Sequence, residues 1–229
     1  MIRTIAFGIF ATLITVLWFP FMLLKPRHPG NALFPAMCIR AFCRYCLNIR
    51  FRIEGLHNLI KSNKNGKIIV INHQSVFDLL ILAEIWPYLN NNATVISKRE
   101  LLWQAPFFGI AAYMWGTLFI NRSNPGEAIK AINEQTDAIC NQNKSLIFFP
   151  EGTRGNMSTI LPFKSGAFVL ANEYAHCSIL PIVASKWFWK INYSAKLTIL
   201  HPIRCVAENT STNNLINDIH SKMNRTFLI

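Results

Sequence analysis

Ile68-Ile69-Val70-Ile71 is a run of β-branched residues that breaks into Asn72-His73-Gln74-Ser75, and an apolar segment resumes after Asp78. A short apolar run bounded by polar residues reads as a buried strand, and the segment that resumes reads as the start of a helix. Loops at strand ends are where a rigid scaffold presents catalytic side chains. His73 and Asp78 fall in that loop and first helical turn, with four residues between them. A carboxylate so placed can hold one imidazole nitrogen and fix the tautomer, which leaves the other nitrogen to take a proton. Ser75-Val76-Phe77-Asp78 also fits a capping box, in which a serine caps the helix and an acid three residues on reaches back. On that second reading Asp78 closes a helix end and His73 is a polar loop residue. This stretch alone leaves both open.

The same texture continues downstream. Thr94 to Ser97, Thr117 to Ile120, Leu146 to Phe149, Ile179 to Ala184 and Lys196 to His201 read as strands. Asp78 to Tyr88, Pro125 to Gln142 and Leu170 to Cys177 read as helices, and Leu101 to Tyr113, holding Pro106 and Gly109, as a broken one. Strands alternating with helices point to an α/β domain around a central sheet.

Ile5 to Leu24 carries no charge and is long enough to cross a bilayer, which takes about 20 residues. The apolar core of a signal peptide is shorter, and Lys25-Pro26-Arg27-His28 follows here without a small-residue cleavage site, so the segment is expected to be retained. Pro20 allows a kinked or partly inserted helix. Asn31 to Ile49 has apolar residues at helical spacing with Arg40 and Arg44 between them. That pattern suits a helix in the headgroup plane or one packed on the domain that follows. Residues 1–49 are therefore read as membrane-associated helices and 50–229 as the α/β domain.

Composition agrees with a membrane surface. Of 229 residues, 52% are hydrophobic and only 15% charged, against a soluble norm of about 25% charged, and the net charge is +12. A basic, apolar chain suits an anionic leaflet, and the positive-inside rule puts the domain on the cytoplasmic face of the inner membrane. No zinc-finger, helix-turn-helix or RNA-binding signature is present, so nucleic acid is not expected as a partner. The six cysteines (Cys38, Cys43, Cys46, Cys140, Cys177 and Cys205) are read as reduced thiols, since a chain this long does not need staples. No Cys/His cluster or His-Glu-x-x-His pattern suggests a metal, and no Gly-x-Ser-x-Gly elbow suggests a hydrolase.

Polar groups gather where strands end: Asn72-His73, Lys98-Arg99-Glu100, Asn121-Arg122 and Glu151-Gly152-Thr153-Arg154. In an α/β sheet, ends on one edge converge on a single crevice. Gly152 allows a tight turn that would aim Arg154 over the edge, and a guanidinium fork suits phosphate. Lys164-Ser165-Gly166-Ala167 opens the next helix and offers backbone N–H groups to an anion.

Taken in order, these blocks resemble the glycerolipid acyltransferases. Asn72-His73-x-Ser75-x-x-Asp78 resembles their His-x4-Asp motif. Lys98-Arg99-Glu100-Leu101, Pro106-Phe107-Phe108-Gly109, Gly116 to Arg122, Phe149 to Arg154, Phe163 to Ala167 and Leu180-Pro181-Ile182 follow in the family's sequence, with Ile53-Glu54-Gly55-Leu56 as a lead-in. The likeness covers about residues 50 to 185. In one departure, Asn121 stands where an Asp is frequent, so no role is carried over to it.

The resemblance implies a central mixed sheet flanked by helices, with an amino-terminal two-helix membrane motif. It implies transfer of a fatty acyl group from acyl-coenzyme A or acyl carrier protein to the free hydroxyl of lysophosphatidate, giving phosphatidate, with no further cofactor. His73 would be the general base and Asp78 its orienting acid, help worth about 10²–10⁴ in rate. Arg122 and Arg154 would bind the phosphate, supported by Lys98 and Lys164 and by the Gly152-Thr153 turn. Glu151 would hold an arginine or the glycerol hydroxyl. Other lysophospholipids or glycerol 3-phosphate are alternative acceptors, and a catalytically inactive lipid-binding protein is the alternative outside enzymes.

Overall fold

In the computed structural model, residues 2–62, 66–75, 78–135, 142–156, 158–173, 178–185, 194–204 and 211–228 are described. The predicted helix ends at 136–141 and 174–177, and Cys140, Cys177 and Cys205, lie outside them. Eight strands form one mixed sheet: β1 Arg50–Glu54, β2 Lys67–Ile71, β3 Ala93–Lys98, β4 Leu118–Ile120, β5 Ser145–Phe148, β6 Ser178–Ser185, β7 Ser194–Ile199 and β8 Ile203–Arg204. Their order is β1-β7-β6-β2-β5-β3-β4, with β8 also on β6. β6, β2, β5, β3 and β4 run parallel, so their carboxyl ends share one edge. β7 and β8 run antiparallel to β6, and β1 runs with β7.

β2 is buried at every position and divides the core by its two-residue period. Ile68 and Val70 face a layer formed with Phe168 and Leu170 of one helix and with Leu215, Ile219 and Met223 of another. Those helices are Gly166–Glu173 and Thr212–Leu228. Ile69 and Ile71 face the opposite layer, built by Ile81 and Ile85 of helix α4 (Asp78–Ile85) and by Ala36 of helix α2 (Leu33–Tyr45). A strand covered on both faces is apolar throughout, which is why the run at 68–71 was legible.

The amino-terminal segment of the fold is a helical hairpin. α1 spans Ile2–Met22, continuing through Pro20, and returns through a 3₁₀ turn at Pro29–Ala32 into α2. α1 lies along α2 through Phe10 on Phe42 (ring centroids 4.0 Å apart) and Trp18 on Phe34 (4.4 Å). α2 in turn packs on α4. Arg40 Nε meets Glu84 Oε2 at 2.9 Å, and Cys43 sits with Leu80. Burial raises the Glu84 carboxyl against the pull of Arg40, and it pushes the Cys43 thiol up to about 12. Of the two placements expected for this helix, packing on the domain is present, and Phe34, Met37 and Tyr45 remain exposed.

At the amino end of β2, Lys67 is fully buried, with its Nζ donating to Ser62 Oγ at 3.1 Å. Burial lowers its ammonium from 10.5 to about 8. Between those values the unfolded chain holds more protons, so stability should rise with pH across this window and be lower below it. At about 1.4 kcal/mol per unit, the change is at most about 3 kcal/mol. Urea unfolding from pH 7.5 to 10.5, roughly this window, is expected to show that rise in the wild type and to lose it in Lys67→Met. Equal slopes in the two would remove Lys67 as the cause.

Candidate active site

The register sets the site. β2 and β5 are parallel neighbours with Val70 opposite Phe148, so His73 and Glu151 follow their strands at the same level. On the other flank Asn72 extends the ladder with its side chain: its Nδ2 donates to the Ala184 carbonyl at 3.0 Å, and its Oδ1 accepts the Ala184 N–H at 2.7 Å. The amide thereby substitutes for a peptide group and pins the chain where it leaves β2.

Asp78 opens α4 and is 1% exposed. Its Oδ2 lies 2.7 Å from His73 Nδ1 and accepts the N–H groups of Gln74 at 2.7 Å and Ser75 at 3.0 Å. Oδ1 is buried and has no hydrogen-bond partner among the described residues, where Oδ2 carries every contact. The two readings of Asp78 are thus compatible: it closes the helix start and holds the imidazole together. With Nδ1–H donating to the carboxylate, Nε2 is the nitrogen left to accept a proton, and it makes no hydrogen bond among the described residues. The ring is about a quarter exposed, against Phe149 with centroids 4.8 Å apart.

Glu151 is 3% exposed and faces inward. Its Oε1 accepts the His73 N–H, and its Oε2 accepts the Leu161 N–H at 2.8 Å and the Gln74 amide at 3.3 Å. Burial raises this carboxyl, while the N–H groups of His73 and Leu161 oppose the shift. Of the partners expected for it, an arginine is not among these donors, which belong to the loop that carries His73 and to Leu161. A carboxylate with protein donors on both oxygens braces that loop. Gly155 completes the brace, its N–H donating to the His73 carbonyl at 2.7 Å. A Cβ at Gly155 would stand 2.6 Å from Gln74 Oε1, so a side chain there would push the Gln74 amide from its place.

The cations divide into two groups. Arg122 Nη1 donates to the Gly152 carbonyl at 2.6 Å, which places its guanidinium beside the Glu151–Gly152 turn. Burial pulls Arg122 below the usual guanidinium range, with Glu100 opposing. Gly152 has φ +70°, and the Lys164 side chain crosses it, its Nζ 3.1 Å from where a Cβ would stand. Arg122, Gly152 and Lys164 therefore meet at one turn. Arg154 and Thr153 lie exposed just beyond it. Lys98 is drawn aside to Gln104 Oε1 at 2.6 Å. Asn121 Oδ1 accepts the Ser123 N–H at 3.1 Å, a short turn that its amide supports directly after β4.

Asn72, Gln74, Gly155 and Leu161 contribute to the site without having been singled out as functional. Leu161 and Gly155 act only through backbone N–H groups, which leave no side-chain signature. Gln74 sits at a variable position of the His-x4-Asp spacing.

A mixed α/β sheet with a carboxylate-held histidine and basic groups on one edge defines a class of acyl-transfer fold, and the comparisons agree. Residues 50–185 match the family model described as Acyltransferase. The chain belongs to that family. It is 39% identical over 144 residues to the 1-acyl-sn-glycerol-3-phosphate acyltransferase alpha of Homo sapiens, covering 63% of this chain and 48% of that one. It is 36% identical over 152 residues to the 1-acyl-sn-glycerol-3-phosphate acyltransferase of Saccharomyces cerevisiae, covering 66% and 48%. The chain thus spans about half the length of the curated relatives it matches. In fold it is similar to the 1-acyl-sn-glycerophosphate (LPA) acyltransferase PlsC from Thermotoga maritima, with TM-score 0.72, 20% identity and coverage of 98% of this chain and 94% of that one.

Proposed function

We propose that the chain transfers a fatty acyl group from an acyl thioester to the free sn-2 hydroxyl of lysophosphatidate, giving phosphatidate, at the cytoplasmic face of a membrane. The observation that carries this reading is the 2.7 Å contact of His73 with a buried Asp78, which leaves Nε2 open at the same sheet edge as Arg122 and Lys164. The relatives, 1-acyl-sn-glycerol-3-phosphate acyltransferases by name, supply the substrate class.

A hydroxyl is a weak nucleophile at neutral pH. His73 Nε2 takes its proton as the new C–O bond forms, and Asp78 stabilises the imidazolium. The C–S bond then breaks, and the thiolate leaves with the proton returned by His73. The substrate hydroxyl is itself the nucleophile, so no acyl-enzyme is required. Arg122 and Lys164, with Arg154 from the exposed turn, neutralise the phosphate and hold the hydroxyl near Nε2. Such positioning lowers a barrier by several kcal/mol, on the order of 10³ in rate.

The test is labelled acyl transfer by the full chain from acyl-coenzyme A and, in parallel, from acyl carrier protein. Lysophosphatidate, lysophosphatidylglycerol and glycerol 3-phosphate compete as acceptors. Labelled phosphatidate as the main product is expected with at least one donor. Preference for another acceptor would move the protein to a sibling activity, and no transfer to any of them would leave a lipid-binding role.

A further inference from the structure

Helices α5 (Leu101–Gln104) and α6 (Pro106–Met114) connect β3 to β4 and contain no charged residue. Gly109, Ala111, Ala112 and Met114 of α6 are buried. A surface helix with one face on a core ordinarily turns a polar face to water. Here the outer face is apolar as well: Trp103, Phe107, Ile110 and Tyr113 are 60, 46, 50 and 41% exposed and recur at intervals of three or four residues.

This face is continuous with that of α1. Asn31 Nδ2 donates to the Met114 carbonyl at 2.9 Å, and the Arg27 guanidinium stands 4.8 Å over the Tyr113 ring, so the α1–α2 turn is seated on the end of α6. Phe21, Leu23 and Leu24, where α1 ends, are exposed beside that turn. Among the described residues, every exposed large hydrophobic except Ile60, Ile129 and Leu228 lies in α1, its turn, α2 or α5–α6. Lys25 and Arg27 flank one end of the outer face and Lys98 and Arg99 the other. Tryptophan and tyrosine, apolar in body and polar at one edge, suit the headgroup level of a bilayer, and flanking cations suit anionic lipid.

We propose that α5 and α6 form a second membrane-contact surface, which seats Trp103, Phe107, Ile110 and Tyr113 in an anionic phospholipid leaflet beside α1. The inference rests on the reading of the chain as acting at a membrane. It adds that the domain itself, and not the amino-terminal hairpin alone, meets the lipid.

The full chain and Trp103→Phe would be bound to vesicles of phosphatidylglycerol and phosphatidylcholine with brominated acyl chains. The difference in tryptophan emission between the two isolates Trp103. Quenching of that difference by brominated lipid, with protection from aqueous iodide, is the expected result. Phe107→Ser combined with Ile110→Ser should then weaken the quenching roughly twofold or more, as buried apolar area falls. Vesicle binding with Trp103 open to iodide and untouched by bromine would overturn this inference alone. Failure to bind vesicles would overturn the membrane reading too. Protection from both quenchers, with cross-linked pairs of chains, would assign the face to a second copy and overturn the proposal.

Discussion

His73→Ala is expected to lower acyl transfer by at least ~10² with little change in overall fold. The imidazole is partly exposed, and removing it deletes one hydrogen bond to Asp78 while Oδ2 keeps the Gln74 and Ser75 N–H groups. The stability loss should therefore be about 1 kcal/mol. In the proposed mechanism Asp78 acts on the hydroxyl only through His73, so Asp78→Asn in the His73→Ala background should cost little further activity, a non-additivity typical of groups that act as a unit. Initial rates of the single and double variants across pH check this. The wild-type loss of rate on the acid side, where a base is protonated, should be absent from both. Transfer at the wild-type rate in His73→Ala would reduce Asp78 to a helix closure and place the base elsewhere.

Glu151→Ala should lower both stability and rate. Its carboxylate accepts two backbone N–H groups and the Gln74 amide in a site with 3% exposure. Removing it strands those donors away from water, at about 1–3 kcal/mol for each one left unpaired, so a fall of about 3 kcal/mol is expected. The His73 loop then loses its brace to β5. A displacement of about 1 Å at a catalytic group can cost ~10² in rate, so kcat should drop by about that much. The division between kinetic constants decides the role. A bracing carboxylate lowers kcat and leaves KM for the acceptor nearly unchanged, whereas a substrate ligand raises KM. Denaturant unfolding together with steady-state kinetics makes both measurements. A rise in KM at constant kcat would return Glu151 to substrate binding.

The contrast between these two residues shows what the sequence makes legible. His73 and Asp78 are near neighbours, and the spacing that brings them together is local. The alternation of strands and helices is local too, and the mixed sheet was expected from the resemblance. Glu151 is a long-range case. It was marked as a site residue from its place after a strand, but its partners depend on β2 and β5 lying side by side in one register, which no single stretch encodes. Arg122 likewise meets Gly152 across the sheet edge, while Arg154, the arginine of the turn itself, lies exposed. β1, β8 and the Thr212–Leu228 helix were not marked: β1 carries charges at alternate positions, Arg50, Arg52 and Glu54, β8 spans only two residues, and that helix is amphipathic but lies beyond the last motif block.

The match to the family begins at residue 50, which invites the view of a hairpin joined to an independent catalytic body. α4 contradicts that division. Its first residue is the acid that holds His73, and one residue from its end Glu84 is paired with Arg40 of the hairpin. Removing the hairpin would expose Leu80 and leave the buried Glu84 carboxylate without Arg40, on the same helix that Asp78 opens. The boundary visible in the sequence is therefore crossed by a partly buried ion pair and an apolar contact. A hairpin exchanged between relatives would have to bring along the complementary residues of α4, so the two segments are constrained to change together.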